Sequence, residues 1–221
     1  VKTHFLQFFG AIMVWGTTQV AWAQVPAVVL NPDKGSEIGA RYQAWLSPHQ
    51  EGGEERDTPR AVPKVFRSTT PSVDRDKRPS RGHGMVRFSK DLSRAYVDIR
   101  IEGVDPKTIT MFHIHCGKPG MLGPILVDFG HKNDLKAAFA NNTFSVQVRN
   151  EDITAVTAHA HGPIGFATAG CPIVMANPID RVKTVAGMAA IAREGDLYFN
   201  LHTSGQSYFG DIRGQLERVQ D

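Results

Sequence analysis

The sequence predicts a mainly β protein, an antiparallel Greek-key-like sandwich or barrel carrying one or two short helices. Two observations carry this expectation. Ala95, Val97, Ile99 and Ile101 alternate with Tyr96, Asp98 and Arg100, the period of a half-buried strand, and similar short runs recur between glycine and proline turns from residue 39 to residue 219. Helical periodicity, by contrast, is confined to two stretches, so helices cannot form the bulk of the fold.

The elements follow in order. Residues 39 to 46 read as a first strand, stopped by Ser47-Pro48. Residues 84 to 89 lead through the turn Lys90-Asp91-Leu92-Ser93 into the strand 94 to 101, which makes a hairpin. Further strands are expected at 109 to 115, 124 to 129, 143 to 149, 196 to 202 and 211 to 219. In the last of these Ile212, Gly214 and Leu216 share one face and Arg213 and Gln215 the other. Residues 133 to 140 suit a turn or two of helix, and residues 179 to 193 a longer one that Gly195 ends.

The chain organises around one domain. Residues 1 to 23 begin with Lys2, continue through an apolar run from Phe5 to Trp15 and finish Ala21-Trp22-Ala23, the order of a secretory signal peptide cleaved before Gln24. Residues 24 to 38 form a short leader. Residues 39 to 219 make a single β domain, interrupted at 51 to 82 by a charged, proline- and serine-rich insertion whose low apolar content predicts a flexible loop, with a short ordered piece near Val62 to Phe66. No later run approaches the roughly 20 apolar residues that span a bilayer. The expected location is periplasmic or secreted.

A net charge of +3 over 221 residues, with Lys and Arg interleaved among acids, gives no basic stripe and excludes a nucleic-acid partner. The residues contain no Gly-x-Ser-x-Gly elbow, phosphate loop or His-Glu-x-x-His motif, which excludes the commonest hydrolase and nucleotide chemistries.

The histidines carry the functional signal. His113 and His115 sit at i and i+2 of a strand, so both imidazoles leave the same face as Met111 while Phe112 and Ile114 face the core. Their Cα atoms stand roughly 7 Å apart, close enough for the rings to converge on one ion. His202 ends the run from Asp196 and supplies a third donor if its strand lies near. His159 and His161 form a second His-x-His pair, so five of the nine histidines fall in three compact places. An imidazole set without paired thiolates points to copper or zinc before iron-sulfur chemistry.

Cys116 and Cys171 are expected to form a disulfide in an oxidising compartment, closing a loop of about 55 residues. Cys116 has a rival role as a metal ligand beside His115. Strand alternation points it to the opposite face and argues against that role.

These residues resemble a known family. Ile101-Glu102-Gly103-Val104, His113-Ile114-His115-Cys116-Gly117, Gly120-x-x-Gly123-Pro124, Leu197 to Thr203 and Gly210-Asp211-Ile212-Arg213-Gly214-Gln215-Leu216 are together similar to the CHRD domain, named for chordin and found also in exported bacterial proteins. The resemblance spans residues 39 to 219 in outline, and the chain departs from it at 51 to 82 and at 154 to 178. A looser similarity links Phe112-His113-Ile114-His115 to the copper-binding strand of copper/zinc superoxide dismutases. That similarity implies copper held off the outer face of the sheet, a later histidine completing the site and a disulfide bracing a nearby loop. The zinc ligands of those enzymes find no counterpart around His159 and His161, so the resemblance implies a copper-only site, with zinc the less favoured ion.

Three functions remain open from the residues. An accessible copper centre would cycle between Cu(II) and Cu(I) on superoxide, with Arg213 steering the anion or, more simply, pairing with Asp98 or Asp211. In such a centre Tyr198 and Asn200, on the face of His202, would orient the rings by hydrogen bonds or else be ordinary surface residues. A closed centre would carry or buffer copper, with Met111 as a soft extra ligand. A metal-free module would bind another protein or a second copy of the chain.

Overall fold

The computed structural model describes residues 37–158, 168–174 and 177–220. The expected signal peptide, most of the leader, and His159 and His161 lie outside the described residues. Two antiparallel sheets dominate. One runs β11-β1-β2-β3-β6 and the other β10-β9-β4-β5, with a separate hairpin β7-β8. The strands are β1 (Ile38–Leu46), β2 (Arg81–Ser89), β3 (Ala95–Glu102), β4 (Ile109–Cys116), β5 (Ile125–Asp128), β6 (Thr143–Val148), β7 (Pro172–Val174), β8 (Asn177–Arg181), β9 (Leu197–Thr203), β10 (Ile212–Gln215) and β11 (Glu217–Arg218). The result is a sandwich; among the described residues the sheets do not close into a barrel.

The core lies between the sheets, filled by the alternate residues of each strand. Val97, Ile99 and Ile101 of β3 meet Phe112 and Ile114 of β4 and Leu197, Phe199 and Leu201 of β9, all nearly or fully buried. Phe112 is the hub, stacked on Phe129 and Phe199 at 4.7 and 5.7 Å between centroids and edge-on to Phe144 of the opposite sheet at 5.8 Å. Burying several aromatic rings at such contacts stabilises the sandwich by both area and geometry.

Three elements differ from the sequence expectation. The last strand breaks at Leu216, whose N–H donates to the Leu197 carbonyl at 2.9 Å, so β10 pairs with β9 in one sheet while β11 pairs with β1 in the other. The long helix starts late, as α3 (Val185–Arg193). The Thr184 hydroxyl caps it by accepting the Gly187 N–H at 3.1 Å, while residues 177–181 are claimed by the β7-β8 hairpin. Its buried Val185, Met188, Ala189 and Ala192 follow the helical period, and it ends before Gly195, as expected. The helix α1 (Leu135–Ala138) lies within residues 133 to 140, whereas α2 (Asn150–Ala158) has no counterpart in the expectation. Only Ile153 of α2 is buried, so its sequence carries little amphipathic signal.

Residues 51 to 82 have the composition of a flexible loop but hold a defined course through short 3-10 turns at Glu55–Asp57, Lys64–Phe66 and Arg75–Lys77. Ionic and backbone contacts do what an apolar core cannot do there. Glu54 accepts from the backbone N–H and Nε of Arg75 at 3.0 and 2.9 Å, and Arg78 reaches Asp211 at 3.2 Å. Thr69 and Thr70 donate their N–H groups to the Ser204 carbonyl, and Gln206 donates to the Val73 carbonyl. The segment lies as a strap over the outer face of the β10-β9-β4-β5 sheet. No helix among the described residues is long and apolar enough to cross a membrane.

Candidate metal centre

The outer face of the four-stranded sheet carries the predicted histidines. Antiparallel pairing of β4 with β9 sets Met111 opposite His202, His113 opposite Asn200 and His115 opposite Tyr198. Alternation therefore gathers His113, His115, Tyr198, Asn200 and His202 on one side, as the spacing required. The sequence left an accessible and a closed centre as alternatives. The face is covered, and His113, His115 and His202 are 3, 8 and 4% exposed.

The His113 ring meets the His115 and His202 rings edge to face. Centroids lie 5.1 Å apart for His113 and His115, 5.3 Å for His113 and His202 and 6.4 Å for His115 and His202, and one nitrogen from each ring falls within 4.8 Å of the other two. Cys116, the rival ligand, is instead bonded to Cys171.

Hydrogen bonding fixes the free nitrogen of two of the three rings. The Nδ1 of His115 lies 2.8 Å from the Gly123 carbonyl and the Nδ1 of His202 lies 3.0 Å from the Ser207 carbonyl. A carbonyl only accepts, so each Nδ1 carries the proton and each Nε2 presents a lone pair. His113 is reversed. Its Nε2 faces Asp128 at 3.6 Å, across the β4-β5 pair, leaving Nδ1 inward. The inward atoms, Nδ1 of His113 and Nε2 of His115 and His202, are all buried without a hydrogen-bond partner. An unpaired buried nitrogen costs on the order of 1–3 kcal/mol, so three together are an unusual concentration of unmet demand.

Electrostatics keep the trio neutral. Burial, then the neighbouring imidazoles, hold His113 well below the usual histidine range. Burial and the His202 ring push His115 down to about 3, against the Gly123 carbonyl, which favours the cation. Burial takes His202 to about 4, opposed by the Ser207 carbonyl and by Glu55. Neutral imidazole is the form that ligates a metal.

A layered support surrounds His115. The Tyr198 ring lies parallel to it, and the Arg213 guanidinium sits over the same ring at 3.4 Å from its centroid. Arg213 is fully buried and donates to the carbonyls of Met121 and Lys118 at 2.7 and 2.8 Å and to Gln215 at 3.3 Å. The expected pairing of Arg213 with Asp98 or Asp211 is not formed. Arg87 takes Asp98 at 2.6 Å, and Arg78 takes Asp211. Nor does Arg213 line an open approach where it would steer an anion. Asn200 does not orient a ring by hydrogen bonding either; its Nδ2 donates to the Phe209 carbonyl at 2.9 Å.

Several supporting residues were not foreseen. Gly123 and Ser207 act through backbone carbonyls, which leave no side-chain signature. Glu51 and Glu55 belong to the strap. Glu51 is fully buried with both carboxyl oxygens unpartnered, and its carboxyl is raised well above the usual range by burial, against the pull of Arg213 and Arg78. His159 and His161, expected as further ligands, fall outside the described residues.

A family model described as the CHRD domain matches residues 66–216. No curated protein and no solved structure matches the chain.

Proposed function

We propose that this chain, which belongs to the CHRD-domain family, binds one transition-metal ion through Nδ1 of His113, Nε2 of His115 and Nε2 of His202. One observation carries this reading: three neutral imidazoles present convergent lone pairs in a buried space, each without any other partner. A bound ion would satisfy all three at once. The Gly123 and Ser207 carbonyls then act as outer-shell partners that set ring orientation and tautomer.

Copper is the favoured ion. The donors are nitrogen only, which suits copper and zinc over metals that prefer carboxylate oxygen. The ligands bring no negative charge, and the Arg213 cation stands behind Tyr198. Neutral donors give a divalent ion no anionic ligand to hold it, so the set accommodates Cu(I), with Asp128 beside His113 and Glu55 near His202 offsetting the Arg213 charge. Enclosure of the three nitrogens supports retention or delivery of the ion over turnover of superoxide, which requires an accessible metal. The disulfide and the expected signal peptide support an exported location, and residues 39 to 219 are read as one domain.

The test is elemental mass spectrometry of protein purified from cells supplied with copper and zinc, beside His113→Ala and His202→Ala variants. About one equivalent of copper in the parent, lost in both variants while the fold persists by circular dichroism, is the expected result. A folded parent without stoichiometric metal overturns the reading and leaves a metal-free binding module.

A further inference from the structure

The strap that covers the site also makes the contacts that hold one of its ligands in place. Glu55, 9% exposed, accepts the backbone N–H groups of Tyr208 at 3.0 Å and Phe209 at 3.4 Å on one carboxyl oxygen. Its other oxygen accepts the Ser68 hydroxyl at 2.7 Å. That same hydroxyl oxygen accepts the Ser207 N–H at 3.2 Å. Two strap residues, thirteen positions apart, thus clamp three successive backbone amides of the loop that follows β9. The carbonyl of Ser207 in this loop is the acceptor for Nδ1 of His202.

The strap touches the second ligand-holding loop as well. Gly52 approaches so closely that a Cβ there would lie 2.8 Å from the Gly120 carbonyl, and one on Gly53 would strike the Phe209 ring at 2.5 Å. Gly120 belongs to the turn that delivers the Gly123 carbonyl to His115. Residues 51 to 55 are therefore wedged between the two loops whose carbonyls set the ligand tautomers.

We infer that Glu55 and Ser68 are positioning residues for the metal centre. Through the Ser207 carbonyl they hold His202 with Nδ1 protonated and Nε2 bare, so the site is completed by a segment that begins ahead of the family-matched region at residue 66. The inference deepens the metal-binding reading and rests on it for its consequence, but the tautomer of His202 can be read without any metal. A carboxylate suits this role because all its oxygens accept, and three amide or hydroxyl donors face it. A glutamine would turn donor hydrogens toward donors on one side.

The experiment compares the full chain with Ser68→Ala, Glu55→Gln and the control Asp74→Asn, whose pairing with Arg56 is exposed to solvent. Long-range ¹H–¹⁵N spectra of the metal-free proteins report the His202 tautomer, and competition for Cu(I) against bicinchoninate reports affinity. The parent and Asp74→Asn should show a single Nδ1–H tautomer and equal affinity. Ser68→Ala and Glu55→Gln should show mixed tautomers and affinity lower by about 10- to 100-fold, the usual cost of losing an outer-shell partner. Unchanged tautomer in folded Ser68→Ala overturns the inference, whatever Glu55→Gln does. If the parent binds no copper, the metal reading fails, and the tautomer shift alone still decides whether the strap positions His202.

Discussion

The His115 imidazole lies flat against the Tyr198 ring, with centroids 5.0 Å apart and planes 7° from parallel. Tyr198 serves His115 twice, because its hydroxyl oxygen also accepts the Gly123 N–H at 2.9 Å, and the carbonyl of Gly123 accepts the His115 N–H. Tyr198→Phe should keep the stack and lose the hydroxyl, lowering copper affinity by roughly the 10-fold of a weak outer-shell loss. Tyr198→Leu should cost more, since it also removes the platform beneath the ring and the face over which Arg213 sits. Affinity by chelator competition orders the three proteins. Equal affinity of Tyr198→Leu and the parent would show that His115 needs neither support.

The depressed imidazoles give acid dependence of a defined sign. For a base whose folded value lies below its unfolded value of about 6.5, the unfolded chain takes up protons first, so stability is full above 6.5 and falls as pH drops. His202, near 4, should cost the metal-free protein on the order of 3 kcal/mol between pH 6.5 and 4, at 1.36 kcal/mol for each pH unit, and His115, near 3, adds a similar loss over the same interval. Thermal melts of the metal-free protein from pH 7 to 4 check this. Copper affinity measured on the folded protein should stay flat between pH 7 and 5, because no ligand carries a proton to displace there. A surface histidine site would weaken steadily over that range.

Much of this was legible in the sequence, and the reason is local. Alternation of Ala95, Val97, Ile99 and Ile101, and the i, i+2 spacing of His113 and His115, are properties of a strand read without its neighbours. His202 joined them because its own strand has the same period, and the disulfide because the chain has only two cysteines. The remainder depends on partners distant in sequence. Nothing local marks Ser207 as the acceptor for His202, since its carbonyl does the work. Glu54 and Glu55 read as solvated charge, and they are buried because backbone amides and an arginine more than twenty residues away receive them, while Glu51 is buried with neither carboxyl oxygen partnered. The break at Leu216 is equally invisible, because it is fixed by the Leu197 carbonyl across the sheet.

The Cys116–Cys171 bridge ties the residue after His115 to Cys171, 55 positions later in the chain. In the loop-entropy account such a crosslink stabilises by about 4 kcal/mol. Cys171→Ser, or reduction of the parent, should shift the urea midpoint down by a corresponding amount. It should also loosen the end of β4, where the Cys116 N–H holds the Pro124 carbonyl next to Gly123. Copper affinity should therefore fall together with stability on reduction. Affinity that survives reduction unchanged would separate the bridge from the site and leave it a purely structural brace.

Gly210 makes the sharpest steric prediction. It lies at φ +108°, and a Cβ there would sit 2.0 Å from the Asn200 side-chain oxygen and 2.7 Å from a carboxyl oxygen of Glu51. Both are buried acceptors without partners, packed against the glycine beside the strand position that faces His113. Gly210→Ala combines backbone strain of about 1–3 kcal/mol with displacement of two side chains that have nowhere to go. Gly120 provides the comparison, since it too has positive φ, at +76°, but a Cβ there meets nothing within 4 Å. Gly120→Ala should carry the backbone cost alone. At roughly 2–4 °C per kcal/mol for a domain of this size, Gly210→Ala should melt about 5–10 °C below the parent and Gly120→Ala only a few degrees below. Equal melting of the two variants would mean that Asn200 and Glu51 can move aside, and that the wall of the centre at Asn200 is softer than its packing indicates.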